Sequence, residues 1–132
     1  MGGVPHTVSY RVYYEDTDSL GVVYYANYFK FIERGRTEYL AAHGQDVATL
    51  NASGVLVVVH SVTANFRRSA RLGEMLDVVT SFAVKSPFRG RFAQRIERDG
   101  ELVVEATVDV ACLNPEQRLI ELPPALRALA DS

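Results

Sequence analysis

The chain has little that could brace it from outside. It carries a single cysteine, Cys112, so an internal disulfide is excluded. That cysteine and the histidines His6, His43 and His60 show no spacing of a zinc site, and no metal is expected. The longest apolar run, Val55 to Val59, is far too short to cross a bilayer. The opening residues Met1 to His6 lack the basic region and apolar stretch of a secretory leader. Charge of one sign is lacking too: 14 basic against 16 acidic side chains give a net charge of −2. That balance removes any global attraction to nucleic acid or to an anionic membrane. There is no internal repeat, low-complexity tract or linker. These absences point to the cytoplasm and to a small-molecule partner.

What remains is a chain of 132 residues, suited to one domain spanning 1–132 and long enough to bury a core without staples. Val8 to Tyr14 is rich in β-branched and aromatic residues and reads as a strand. A polar loop, Asp16-Thr17-Asp18-Ser19-Leu20-Gly21, follows. A helix is expected from about Tyr25 to His43, because Tyr28, Ile32, Gly35, Tyr39 and Ala42 fall on one stripe. Gly44 sits where a left-handed cap ends such a helix. Gly35 inside it costs about 1 kcal/mol relative to alanine. Close approach of the helix backbone to a sheet would offset that cost.

The rest reads mainly as β. In Val55–Phe66 one face carries Leu56, Val58, His60, Val62, Ala64 and Phe66, and the other Val57, Val59, Ser61, Thr63 and Asn65. Leu76–Val84 alternates less cleanly. Arg91–Arg98 is polar and is expected to be edge-like or solvent-facing. Leu102–Cys112 has a continuous apolar face, and Asp99-Gly100 is a hairpin turn signal before it. Pro123 to Ala130 reads as a short helix. One helix cannot cover both faces of a five-stranded sheet. An antiparallel sheet curled around the helix is the compact solution, which makes the fold α+β. Val57, Val59, Val79, Val103 and Leu113 make the second sheet face apolar, so a homo-oligomer is expected to cover it.

The loop between the first strand and the helix carries the chemistry. Glu15, Asp16 and Asp18 lie just before a helix start. A helix start presents unpaired N–H groups and a partial positive charge. Those groups can polarise a carbonyl oxygen, and a nearby carboxylate can attack the carbonyl or activate water against it. The same residue types serve in most proteins as turn and capping residues. On composition and spacing alone both readings stand.

The segment YYEDTDSLGVVYYANYFKFIERGRTEYL resembles the signature of the 4-hydroxybenzoyl-CoA thioesterase-like hotdog family. It is most similar to the YbgC-type branch associated with the Tol-Pal system. The segments FRRSARLGEMLDV and FAQRIERDGELVVEATVDVACLN look like the second half of that family. The resemblance implies a hotdog fold and hydrolysis of acyl-CoA to free acid and coenzyme A. It implies that Asp18, the second aspartate of the D-x-D loop, is the catalytic carboxylate, as nucleophile or as general base. It implies that the backbone N–H of Tyr25 binds the thioester oxygen. Some YbgC-type members carry histidine where this chain has Tyr25, so a role for histidine there does not transfer.

By the same match Tyr14, Asp16, Gly21, Val22, Asn27 and Tyr28 are expected near the substrate, with Asp16 either tuning Asp18 or fixing the loop. Acyl-pocket depth is expected to depend on Tyr28, Phe31 and Ile32. Glu33 matches the helix carboxylate of a related thioesterase group, but with Asp18 present it is read as part of a polar face. His60 is read as a hydrogen-bonded core histidine or a pocket-lining one. Cys112 is read as a small buried hydrophobe and His43 as a helix-dipole partner. Coenzyme A carries several phosphate charges, for which Arg67, Arg68, Arg71, Lys85, Arg89 and Arg91 are candidates against the plain reading of basic turns. Coenzyme A is part of the substrate and no further cofactor is implied. The resemblance places active sites between subunits, and a dimer of dimers is favoured. A rival reading is an acyl-thioester-binding scaffold of the Tol-Pal system with little turnover. A dehydratase is disfavoured, because no catalytic histidine motif surrounds His6, His43 or His60.

Overall fold

The computed structural model describes residues 4–131; residues 1–3 and 132 of the expected single domain lie outside them. Strand β1 (His6–Arg11) leads into a 3-10 turn (Tyr14–Asp16), a loop and a second 3-10 turn (Tyr25–Asn27). Helix α1 (Tyr28–Ala42) and a short helix α2 (Val47–Ala52) follow. Then come β2 (Leu56–Phe66), β3 (Met75–Ser86), β4 (Arg89–Arg98), β5 (Glu101–Leu113), β6 (Leu119–Ile120) and α3 (Pro124–Arg127). The sheet order is β1-β3-β4-β5-β2, antiparallel throughout, and the two-residue β6 pairs with β5 where β4 has ended. This sheet wraps α1 in the hotdog arrangement, with one short strand more than the five expected.

Helix α1 starts later than the spacing predicts, because Tyr25–Asn27 adopts a tighter turn first. Its buried stripe is Tyr28, Phe31, Ile32, Gly35, Tyr39 and Leu40, while Ala42 is exposed. Gly35 allows the close approach: a Cβ there would lie 2.5 Å from Val78 Cγ1 and 3.1 Å from both Gln94 Nε2 and Thr80 Oγ1. Gln94 fills the space beneath, donating to Ile32 O (2.9 Å) and Thr80 Oγ1 (3.0 Å) and accepting from Arg36 (3.2 Å). The core thus holds a polar group with every bond made, which avoids the desolvation penalty. The helix ends with His43 Nδ1 2.7 Å from Tyr39 O and Gly44 at φ +76°. Helix α2 was not legible as more than a short region. Asp46 caps it by accepting from Thr49 N at 2.8 Å.

Strand β1 begins at His6 and ends at Arg11, so Tyr14 belongs to the turn that follows and not to a strand. Strand β4 is not edge-like; it sits in the middle of the sheet. Its polar residues alternate with Phe92, Gln94 and Ile96, which are buried under α1. Asp99 and Gly100 turn into β5 with φ of 51° and 79°, the paired left-handed conformation of a tight hairpin.

Two bulges reassign faces. The β2–β5 register slips between Val59 and Ser61, so His60 is the extra residue of a bulge. Val57 and Val59 therefore share the helix side with Val62, Ala64 and Phe66 beyond the bulge, not the second face. The β4–β5 register slips at Ile96/Glu97, and Val103 is fully buried there. Of the expected apolar outer set Val79 and Leu113 remain on the second face, and the rest of it is polar or small. Across it runs the row Ser81, Ala93, Thr107 and Thr63, lining a cavity of about 430 Å³. What stays exposed and apolar is the unpaired edge strand β2, where Val59 is 50 % and Val62 42 % exposed.

Candidate active site

The loop is built from its ends inward. Val12 is buried, donates to Glu74 O (2.8 Å) and accepts from Gly73 N (2.9 Å), which ties the end of β1 to the loop before β3. The 3-10 turn after it closes on Asp16. That carboxylate is 2 % exposed, accepts from Tyr13 N at 2.8 Å and meets Lys30 at 3.4 Å. Its backbone oxygen accepts from Tyr24 N (3.2 Å) and Asn27 Nδ2 (3.0 Å). Asp16 therefore fixes the loop. Asn27 is tied to the same loop through its side chain.

Asp18 sits beyond this knot. Thr17 and Val23 form a β-bridge, Asp18 N donates to Val22 O (2.9 Å), and Gly21 N donates to Asp18 O (3.1 Å). Gly21, at φ +77°, makes the turn possible. One carboxylate oxygen of Asp18 accepts from Leu20 N at 2.8 Å. The other takes no bond from the described residues, and the side chain is exposed. Val22 bridges to Arg71, and Val23 N donates to Ala70 O at 2.8 Å, so two loops are clamped side by side.

The helix start lies at the end of the same loop. Asn27 N donates to Tyr24 O at 2.8 Å, while the N–H groups of Tyr25 and Ala26 have no acceptor among the described residues. Such first-turn amides are donors ready for an anion or a polarised carbonyl. Tyr28 anchors this end: its hydroxyl accepts from Ala70 N at 2.9 Å and its ring is 2 % exposed. Tyr28, Phe31 and Ile32 are all core residues, because the buried stripe of α1 points at the sheet. The exposed rings are others. Tyr25 stacks near Tyr24 (5.1 Å between centroids) and meets Phe66 edge-on (5.8 Å). Phe66, from the end of β2, also reaches Tyr28 (5.9 Å) and Phe29 (6.2 Å). Nothing in the sequence singled out Phe66, because alternation gives its face but not its closeness to the helix start.

The remaining candidates divide by place. Tyr14 is 82 % exposed at the loop, and Gly21 and Val22 lie against Arg71. Arg67 pairs with Glu105, and Arg68 with Glu101 at 3.1 Å. Arg71 has no ion pair among the described residues. Arg91 holds Asp109 in a two-point pair (2.7 and 3.0 Å), which keeps that carboxyl below the usual carboxylate range. Arg89 reaches His60 Nε2 at 3.2 Å. His60 is exposed on the edge strand and is no core residue, since the bulge turns it out. His60, Arg89 and Arg91 lie at the opposite end of the β2–β5–β4 ladder from Phe66 and Arg67. One chain does not gather all the expected groups. Cys112 is fully buried, which pushes its thiol up to about 11 and leaves it unreactive. Among the described residues no group of three or more His, Cys, Asp or Glu side chains is placed to hold a metal ion. No helix among them is long and apolar enough to cross a membrane.

Similarity to known proteins agrees with this architecture. Residues 12–129 match the thioesterase-like superfamily. The chain is 42 % identical over 106 residues to the acyl-CoA thioester hydrolase YbgC of Escherichia coli, covering 80 % of this chain and 79 % of that one. It is 40 % identical to the acyl-CoA thioesterase YbgC of Haemophilus influenzae, covering 79 % of this chain and 77 % of that one. Among solved structures, a probable thioesterase from Bartonella henselae superposes with a TM-score of 0.85 at 36 % identity, covering 91 % of this chain and 100 % of that one. The 1,4-dihydroxy-2-naphthoyl-CoA thioesterase of Synechocystis shares the fold with a TM-score of 0.90 at 20 % identity, over 98 % and 97 % of the two chains. The wrapped sheet, the acidic loop before α1 and these likenesses lead to one conclusion: the chain belongs to the thioesterase-like superfamily.

Proposed function

We propose that this protein hydrolyses acyl-CoA thioesters, with Asp18 as the catalytic carboxylate and the N–H of Tyr25 as the oxyanion donor. The observation that carries this is an exposed carboxylate with one free oxygen, on a clamped loop that ends in the unpaired amides opening α1. As general base, Asp18 takes a proton from water while the water oxygen bonds to the thioester carbon. The developing negative charge rests on the amide of Tyr25, a type of contact worth about 3–4 kcal/mol in such reactions. Collapse breaks the carbon–sulfur bond, and the coenzyme A thiolate leaves and takes up the proton. As nucleophile, Asp18 would instead form a mixed anhydride that water then opens. Hydrolysis in ¹⁸O-labelled water under single-turnover conditions separates the two, because only the anhydride route can place the label in the aspartate.

The site is completed by a second subunit. Strand β2 is a long edge with exposed Val59 and Val62 and without proline, a surface suited to pairing with its own copy. An antiparallel copy runs its opposite end past Phe66 and Arg67. Arg71, without an ion pair among the described residues, is the group we assign to the phosphates of coenzyme A. The small, cavity-bearing outer face suits stacking of two such dimers. The reaction needs no cofactor beyond the coenzyme A of its substrate, and acyl-CoA chemistry places the protein in the cytoplasm.

Thiol release from a panel of acyl-CoAs tests the reading. Turnover by the wild type and its loss in Asp18→Asn, with fold and assembly kept, is the expected result. No turnover on any acyl-CoA or acyl-carrier-protein thioester, with a stable partner complex instead, would favour a binding scaffold.

A further inference from the structure

We propose that Phe66 sets the length of acyl chain the site accepts. The inference rests on the thioesterase reading above and adds the residue that limits its substrate. Phe66 ends β2 on the helix side of the sheet, opposite Val104, yet it is 43 % exposed. Its ring is the shared neighbour of Tyr25, Tyr28 and Phe29 at the helix start. A thioester oxygen on the Tyr25 amide starts its acyl chain within one ring of Phe66.

Behind that ring the helix-side residues of β2 are smaller. The next helix-side residue of β2 is Ala64, opposite Ala106, and then comes Val62, opposite Val108. Ala64 is half-buried and Val62 is 42 % exposed, while their β5 partners Ala106 and Val108 are buried, so the open strip is the β2 edge itself. The strip itself is apolar. The polar groups beside it, Gln94 and Arg36, are bonded to each other. An alkyl chain could lie along such a strip, and a benzyl ring stands at its mouth. Short acyl groups end before the ring, whereas long ones must pass it.

The test is kcat/KM for butyryl-, octanoyl- and dodecanoyl-CoA with the wild type, Phe66→Ala and Phe66→Trp, each checked by circular dichroism. Phe66→Ala should raise the dodecanoyl-to-butyryl ratio by about tenfold or more, the scale of a few methylenes gained in an apolar pocket. Phe66→Trp should lower the ratio. The opposite signs keep the test decisive if either variant folds poorly, and Phe66→Leu serves as a third point between them. An identical length profile in all variants, or an equal loss for every chain length, would overturn the proposal while leaving the thioesterase reading intact. Absence of hydrolysis of any acyl-CoA by the wild type would overturn both.

Discussion

Asp16 and Asp18 stand two residues apart on one loop, and their surroundings could hardly differ more. Asp16 is buried, and its carboxylate is committed to Tyr13 N–H and Lys30. Asp18 is exposed and gives one oxygen to Leu20 N–H, keeping the other free. The inner aspartate fastens the base of the loop, and the outer one faces solvent. A carboxylate fully occupied by structural bonds has nothing left for water or substrate, so the proposed chemistry falls to position 18. The contrast teaches that a cluster of acids is best divided by hydrogen bonds made, not by sequence proximity.

The division can be stressed from several sides. Gly35→Ala attacks the seat of α1 on the sheet, because its new methyl group would meet Val78 Cγ1 at 2.5 Å. We expect a loss of about 2–3 kcal/mol in urea unfolding, with activity falling as α1 is pushed off the sheet. Asp16→Ala should cost about 1–2 kcal/mol by stranding Tyr13 N–H and Lys30. Its activity should track the folded fraction. Val59→Lys places a charge on the edge of β2 and leaves the loop untouched. Size-exclusion chromatography should show smaller assemblies, and activity should fall if the site needs its partner.

The smallest effect is one of pH. Arg91 depresses the Asp109 carboxyl, so the pair stabilises the fold at neutral pH. That contribution is present above the ordinary carboxylate range near pH 4 and is lost as pH falls through the lower folded value. Asp109→Asn should therefore flatten the acid limb of the stability curve, read by urea unfolding at falling pH.

Much of this molecule is written openly in its residues. The acidic loop, the long helix with its close-approach Gly35 and the hairpin at Asp99-Gly100 all follow from local rules. So does the α+β class, because one amphipathic helix beside alternating strands has few compact solutions. What stayed hidden is what depends on pairing partners. A bulge at His60 is invisible without β5, yet it exchanges the two faces of the first half of β2 and moves Val57 and Val59. Strand β4 looks like surface by composition, but its alternate residues Phe92, Gln94 and Ile96 lie under the helix. Asp16 and Tyr28 match positions of a substrate site, and the bonds from Tyr13 N–H, Lys30 and Ala70 N–H that hold them in place are legible only in the fold.

The most direct measurement is the rate of coenzyme A release by Asp18→Asn beside Asp16→Asn, each scaled to its folded fraction. Position 18 should lose about a thousandfold, within the range for a general base, while position 16 stays within a few-fold of the wild type. Equal losses at both positions, or a fully active Asp18→Asn, would contradict the account.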